Sequence, residues 1–287
     1  MNVSECHGHI FMDGTDYKQA MKQHKDGVQR ELIRQRLSAL QNSGIRYYRD
    51  GGDKLGVSAY AREVASEYGI EYRTCIFGTH KKGNYGGIVG FAFSDASEFR
   101  LLLRKAETER ADFIKLMASG IMDFQTAGGI SAGALSAAEL KELIHMAHDS
   151  GFAVMSHVNG NDNVKAAAEA GVDSIEHGYF ISEDCVRIMR DANCVWVPTL
   201  AATAAFAGRS GFAAGVAEEN LLLQGKMLRY AQSIGVWIAS GSDAGAVGVS
   251  PSRGIYAEQG LLAAAGVETA CFLKGNGEIQ RRFKREV

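Results

Sequence analysis

Short apolar, β-rich runs alternate along the whole chain with longer stretches whose apolar residues recur at helical spacing. The first run is Val3 to Ile10, followed by a helical pattern from about Val28 to Gln41 with Leu32, Ile33, Leu37 and Leu40 on one face. Further strands are predicted at Ile45–Tyr48, Ile70–Phe77, Phe113–Met117, Phe152–Ser156, Ser174–Glu176, Cys194–Val197 and Val236–Ala239. Helices fall between them at Val57–Tyr68, Ala96–Arg110, Ala137–Asp149, Val164–Ala170, Glu183–Asp191 and Glu218–Ser233. The Gly-rich segment Gly78–Gly90 reads as a loop, and the chain from Gly254 onward reads as helical with a basic end. Ser136 with Glu139 three residues on reads as a capping box. Gly69, Gly151, Gly171 and Gly235 each stand between a helix and the next strand, where a C′ glycine belongs.

Strands that are apolar along their whole length and alternate with helices belong to a parallel sheet covered on both faces. Eight such units in 287 residues fit a (β/α)8 TIM barrel, whose functional site sits at the carboxyl ends of the strands. A doubly wound open sheet shares the alternation. No interdomain linker stands out, so residues 1–287 are expected to form a single barrel domain. Pro198 is placed at the carboxyl end of the seventh predicted strand, because a proline inside a central strand would remove a ladder hydrogen bond.

Composition narrows the function. Lys and Arg total 31 against 33 Asp and Glu, and 46% of residues are hydrophobic. That balance offers no basic face to nucleic acid or an anionic membrane surface, so neither is an expected partner. No uninterrupted apolar stretch reaches the roughly 18 residues of a membrane span. The first 12 residues contain two His and a Glu where a signal peptide needs an apolar core. The five Cys are scattered and form no CxxC pair, which fits a reducing, cytoplasmic setting.

The ionisable residues fall in a pattern. His7 and His9 stand two apart at the end of the first strand, a spacing that puts both imidazoles on one side. Lys115 lies inside the apolar strand Phe113–Met117. His157, His177 and Asp243 follow the fifth, sixth and eighth strands. In a barrel all of these strand ends converge on one mouth, and imidazole nitrogens with a carboxylate oxygen are a usual set for zinc and similar divalent ions. Alone, each residue has an ordinary structural use; the joint placement after successive apolar strands is what points to a metal centre.

These motifs make the chain resemble the amidohydrolase superfamily, metal-dependent hydrolases on a barrel. The resemblance lies in Cys6-His7-Gly8-His9, the run from Phe113 to Gly120, Ser156-His157, the run from Glu169 to Gly178, Val197-Pro198-Thr199-Leu200, and Gly241-Ser242-Asp243-Ala244-Gly245. It extends over nearly the whole chain and is nearest to the prolidase-like and imidazolonepropionase-like branch. It implies that His7, His9 and Asp243 hold one metal and that His157 and His177 hold a second. It also implies that Lys115, carboxylated on its amine, bridges the two. Burial in an apolar strand favours the neutral amine that carbon dioxide requires. The implied reaction is hydrolysis of an amide-type C–N bond, as in an N-acyl amino acid, a dipeptide or a cyclic amide. A metal-bridging hydroxide would attack, and Asp243 would shuttle the proton. A single-metal deaminase or cyclic-imidate hydrolase with unmodified Lys115 is the second reading. A non-catalytic metal-binding barrel is the third.

Relatives in this branch carry a β-sandwich built from segments on either side of the barrel. Here the first strand begins at residue 3 and about 40 residues follow Asp243, so no sandwich is expected. The barrel surface it would cover makes a homo-oligomer an expectation. The expected partner at the mouth is a small-molecule substrate, with His80, Tyr85 and Tyr179 as its candidate contacts. Arg209 and Arg253 are the candidates for a substrate carboxylate, and the small-residue segment Ala201–Gly215 reads as a loop able to act as a lid.

Overall fold

The computed structural model describes residues 2–285 except 124, 127, 132, 210–212 and 214. Its strands are β1 (Val3–Gly8), β2 (Ile45–Asp50), β3 (Glu71–Thr74), β4 (Gly78–Lys81), β5 (Gly90–Phe93), β6 (Ile114–Met117), β7 (Val154–Val158), β8 (Ser174–His177), β9 (Val195–Val197) and β10 (Trp237–Ile238). All the ladders are parallel, in the orders β1-β2-β3 and β10-β9-β8-β7-β6-β4-β5.

The two sets of strands make one TIM barrel. On one seam Cys6 N donates to Ser240 O at 3.1 Å, Ala244 N to His7 O at 3.1 Å and His9 N to Ala244 O at 2.8 Å. On the other, Asp112 N donates to Thr74 O at 2.9 Å. The third barrel strand is broken in two. β3 pairs with β2, and β4 pairs with β6 in the register Gly78↔Lys115. The break falls at Ile76, whose φ of 66° swings the chain from one neighbour to the other.

The segment after that break differs from its sequence-based expectation. Gly78–Gly90 is not a loop: its two ends belong to β4 and β5, which pair with each other. The pairing needs glycine, because a Cβ on Gly90 would lie 2.3 Å from the Gly78 carbonyl oxygen. A short helix, Leu200–Ala204, also stands where a loop was expected, and another, Tyr17–Gln23, lies in a stretch to which the sequence pattern assigned no element. Leu200–Ala204 occupies the start of the expected lid segment. Of the rest of that segment, residues 210–212 and 214 lie outside the described residues.

Elsewhere the helices fall close to their predicted places. Arg30–Asn42 buries Ile33, Leu37 and Leu40, the apolar face read from the sequence. Ala137–Asp149 begins with the expected capping box: Ser136 Oγ accepts from Glu139 N, while Ser136 N and Oγ donate to the Glu139 carboxylate. Gly69, Gly151, Gly171 and Gly235 all have φ between 64° and 87°, a region costly for any residue with a Cβ. The helical tail is two helices, Gly254–Ala264 and Thr269–Arg282. No described helix is long and apolar enough to cross a membrane.

Most of the core lies between the strands and their covering helices. A second layer fills the barrel interior with Cys6, Tyr47, Cys75, Phe113, Met155, Val195 and Ala239. Phe283, just past the last helix, completes that layer and packs edge-on to Phe113 with ring centroids 5.3 Å apart.

Candidate metal centre

The strand order brings every expected ligand to one place. His7 is on β1, Lys115 on β6, His157 on β7 and His177 ends β8; His9 and Asp243 lie just past β1 and β10. His7 Nε2 and His9 Nε2 lie 3.6 and 3.5 Å from Asp243 Oδ1. These separations are long for hydrogen bonds but match the ~3.3 Å between neighbouring ligands of a tetrahedral ion bound at about 2.0–2.1 Å. His7, His9 and Asp243 together meet the geometry of a cation site. Lys115 Nζ is 3.3 Å from His7 Nε2, and the His157 and His177 rings are 4.5 Å apart.

Three of the histidines are held through one ring nitrogen. His7 Nδ1 donates to Glu176 Oε2 at 2.7 Å. His157 Nε2 donates to Gly120 O at 3.2 Å. His177 Nδ1 shares a 2.7 Å hydrogen bond with Thr199 Oγ1. The carboxylate and carbonyl acceptors fix the first two tautomers and leave His7 Nε2 and His157 Nδ1 as lone-pair donors, while the Thr199 hydroxyl, able to donate or accept, orients the His177 ring. The donor set therefore fits divalent metal.

The backbone is shaped to place these groups. His177, Thr199 and Asp243 have φ of 68°, 50° and 59°, conformations that cost a residue with a Cβ about 1–3 kcal/mol each. Gly51 gives the His9 ring its room, since a Cβ there would lie 2.4 Å from His9 Cε1. Asp50 holds the same corner, accepting from Ile10 N at 3.2 Å and Gly52 N at 2.6 Å.

Burial sets the electrostatics. It pushes the His9 and His157 imidazoles down to about 3, with the Lys115 ammonium adding to the effect, so both stay neutral ligands. It pushes the Asp243 carboxyl up to about 6 and lowers the Lys115 ammonium.

Residues not singled out from the sequence support the centre from below. Arg49 is fully buried and donates through Nη2 to both Glu176 oxygens, at 2.9 and 3.0 Å, and through Nη1 to Ser174 Oγ at 2.9 Å. Its guanidinium lies 4.4 Å from the centroid of the Phe283 ring. Glu5, held near 7 by burial, accepts from His7 N at 3.1 Å and from Ser242 N at 2.8 Å, tying β1 to the Asp243 loop. Their strands gave no such signal as Lys115 did, because β1 (VSECHG) and β2 (IRYYRD) each carry several other polar residues.

Above the ligands lies a cavity of about 500 Å³. Tyr85 and Tyr179 line it, with their rings 5.0 Å from His157 and 5.5 Å from His177. His80 sits on β4 with Nδ1 3.1 Å from Lys81 O and is not brought to the cavity wall. Arg209 and Arg253 are both exposed and do not line it.

Comparison with known proteins agrees with this architecture. The Amidohydrolase family profile matches residues 5–272, so the chain belongs to the amidohydrolase family of hydrolases. Ochratoxinase of Aspergillus niger is 25% identical over 283 residues, 83% of this chain and 56% of that protein. An uncharacterized protein of Mycobacterium tuberculosis is 35% identical over 115 residues, 39% of this chain and 30% of that protein. The chain thus spans about half the length, or less, of the curated relatives it matches. Among solved structures, A. niger ochratoxinase superimposes with a TM-score of 0.75 at 21% identity, covering 98% of this chain and 69% of that one. A Xaa-Pro dipeptidase with bound methionine gives 0.74 at 20% identity, covering 98% and 73%. At these identities the structural likeness concerns the fold.

Proposed function

We propose that the chain is a metal-dependent hydrolase that cleaves an amide-type C–N bond in a small-molecule substrate. The observation that carries this reading is the triangle of His7 Nε2, His9 Nε2 and Asp243 Oδ1 at the floor of a cavity, in a chain of the amidohydrolase family. His7, His9 and Asp243 would hold one ion, and His157 and His177 a second. Lys115 would join the two as a carbamate, formed when its neutral amine adds carbon dioxide and releases a proton. Zinc suits this nitrogen and oxygen donor set. Bound ions of this kind supply Lewis acidity toward a carbonyl and lower the pKa of water toward neutrality.

The chain's own residues supply the remaining work. With Oδ1 on the ion, the other carboxylate oxygen of Asp243, Oδ2, would accept the proton of the attacking water and return it to the leaving nitrogen. Glu176 and Gly120 O hold the His7 and His157 imidazoles in their ligand tautomers, and Thr199 orients the His177 ring. Tyr85 and Tyr179 cover the site and thin the water around it.

A single-ion reading has one observation in its favour: His7, His9 and Asp243 already form a three-donor group without Lys115. Metal stoichiometry by plasma mass spectrometry on protein purified without added metal or chelator decides between the two. About two divalent ions per chain supports the lysine-bridged centre, and about one supports the single-ion site with a cyclic substrate. None, even after supply of metal and bicarbonate, sinks both.

A further inference from the structure

The wall of the cavity above the ligands is chemically one-sided. Met12, Met117, Met122, Tyr17, Tyr85 and Phe206 face it, with further aliphatic side chains between them. Thioethers and aromatic rings are the side chains that adapt to, and pack against, flat apolar groups. Two of the rings stand beside the histidines: Tyr85 over His157 and Tyr179 over His177. A substrate carbon placed at the ligands therefore carries its neighbouring group straight into an aromatic and thioether enclosure. Among the described lining residues the only lysine or arginine is Lys115, which lies at the floor, 3.3 Å from His7 Nε2. Among the described residues of 121–131 and 205–209, the one basic residue is Arg209. Its guanidinium rests 5.8 Å from the Phe206 ring centroid on the exposed side.

A carboxylate carried into such a cavity would lose its hydration without gaining a charged partner on the wall, whereas an apolar group gains by leaving water. We infer that this site selects an uncharged amide whose acyl side is a bulky aromatic or apolar group, and discriminates against a substrate bearing a free carboxylate. The inference rests on the reading of the site as a hydrolase centre and narrows it from N-acyl amino acids, dipeptides and cyclic amides to neutral amides.

Equilibrium binding on the protein as purified tests it with three probes: N-(2-naphthoyl)glycinamide, N-(2-naphthoyl)glycine and N-acetylglycinamide. The first shares its acyl group with the second and its neutral end with the third. The expected result is that naphthoylglycinamide binds at least about tenfold more tightly than either of the others. Tighter binding of the acid, or equal binding of the acetyl and naphthoyl amides, overturns the inference. Val247→Arg, which puts a cation on the wall, should narrow or reverse the preference for the amide over the acid. An unchanged ratio in a folded Val247→Arg protein also counts against it. Hydrolysis of the probes is scored separately: its absence bears on the proposed activity, while the binding ranking decides the substrate class.

Discussion

His7 and Glu176 are joined by a 2.7 Å hydrogen bond between Nδ1 and Oε2, and Glu176 is in turn clamped by Arg49. The buried acid thus reaches a ligand histidine on one side and a buried cation on the other. Glu176→Gln should lower metal affinity by about 10–100-fold, the usual cost of losing a partner behind a ligand. Competition against a chromophoric chelator measures it, and unchanged affinity would remove Glu176 from this role. Arg49→Leu leaves the Glu176 carboxylate buried without its cation, and should cost about 3–5 kcal/mol of stability in denaturant titration.

Lys115→Ala removes the group that would link the two halves of the centre. One of two ions should be lost, with His7, His9 and Asp243 keeping theirs. Retention of both ions by plasma mass spectrometry would exclude the lysine bridge.

Asp243→Asn keeps the shape of a ligand and removes the proton acceptor. Turnover of a hydrolysed amide should fall by about 10²–10⁴, the range of general acid–base contributions. Turnover equal to that of the unmodified protein would show that Asp243 is no proton shuttle.

Glu139 gives the fold an acid limit away from the centre. Its bond to the Lys81 ammonium comes first, and with the Ser136 N–H it holds the carboxyl down at about 2, against an ordinary 4.5. The folded pKa is the lower one, so the contribution is fully present above pH 4.5 and is lost as pH falls toward 2. Glu139→Gln should flatten stability over that window, as read by denaturant midpoints at pH 6, 4 and 3. Because the pair is about one-third exposed, added salt should shrink the difference.

Phe283 is fully buried, packed between Phe113 and the Arg49 guanidinium. Phe283→Ala should cost about 3–5 kcal/mol, the range for a buried ring lost without repacking. A midpoint within error of the parent would mean that the barrel closes over the gap.

The barrel and its expected ligands were legible because each ligand follows an apolar strand and parallel strands deliver their carboxyl ends to one mouth. The supporting acids and Arg49 were not, because they lie inside strands that carry other polar residues. Arg49 and Glu176 are 127 residues apart, His7 and Glu176 169 apart, and only the closed barrel shows that they touch. β4 and β5 escaped notice for a different reason. Glycine at Gly78 and Gly90 lowers strand propensity, yet glycine is what that close backbone approach requires. The role of Gly51 is likewise steric and invisible until the His9 ring is placed.

The expected ligands stand on or just past strands on both sides of the Ile76 break, whereas Tyr85, Ile88 and Val89 come from the connection between β4 and β5. That connection is tied back to the strand it leaves: Gly78 N donates to Val89 O at 3.0 Å. A wall residue and the register of Lys115 therefore share one backbone, because Gly78, which holds Val89, also pairs with Lys115. A change that moves the Val89 backbone to reshape the cavity wall would thus also reach the lysine.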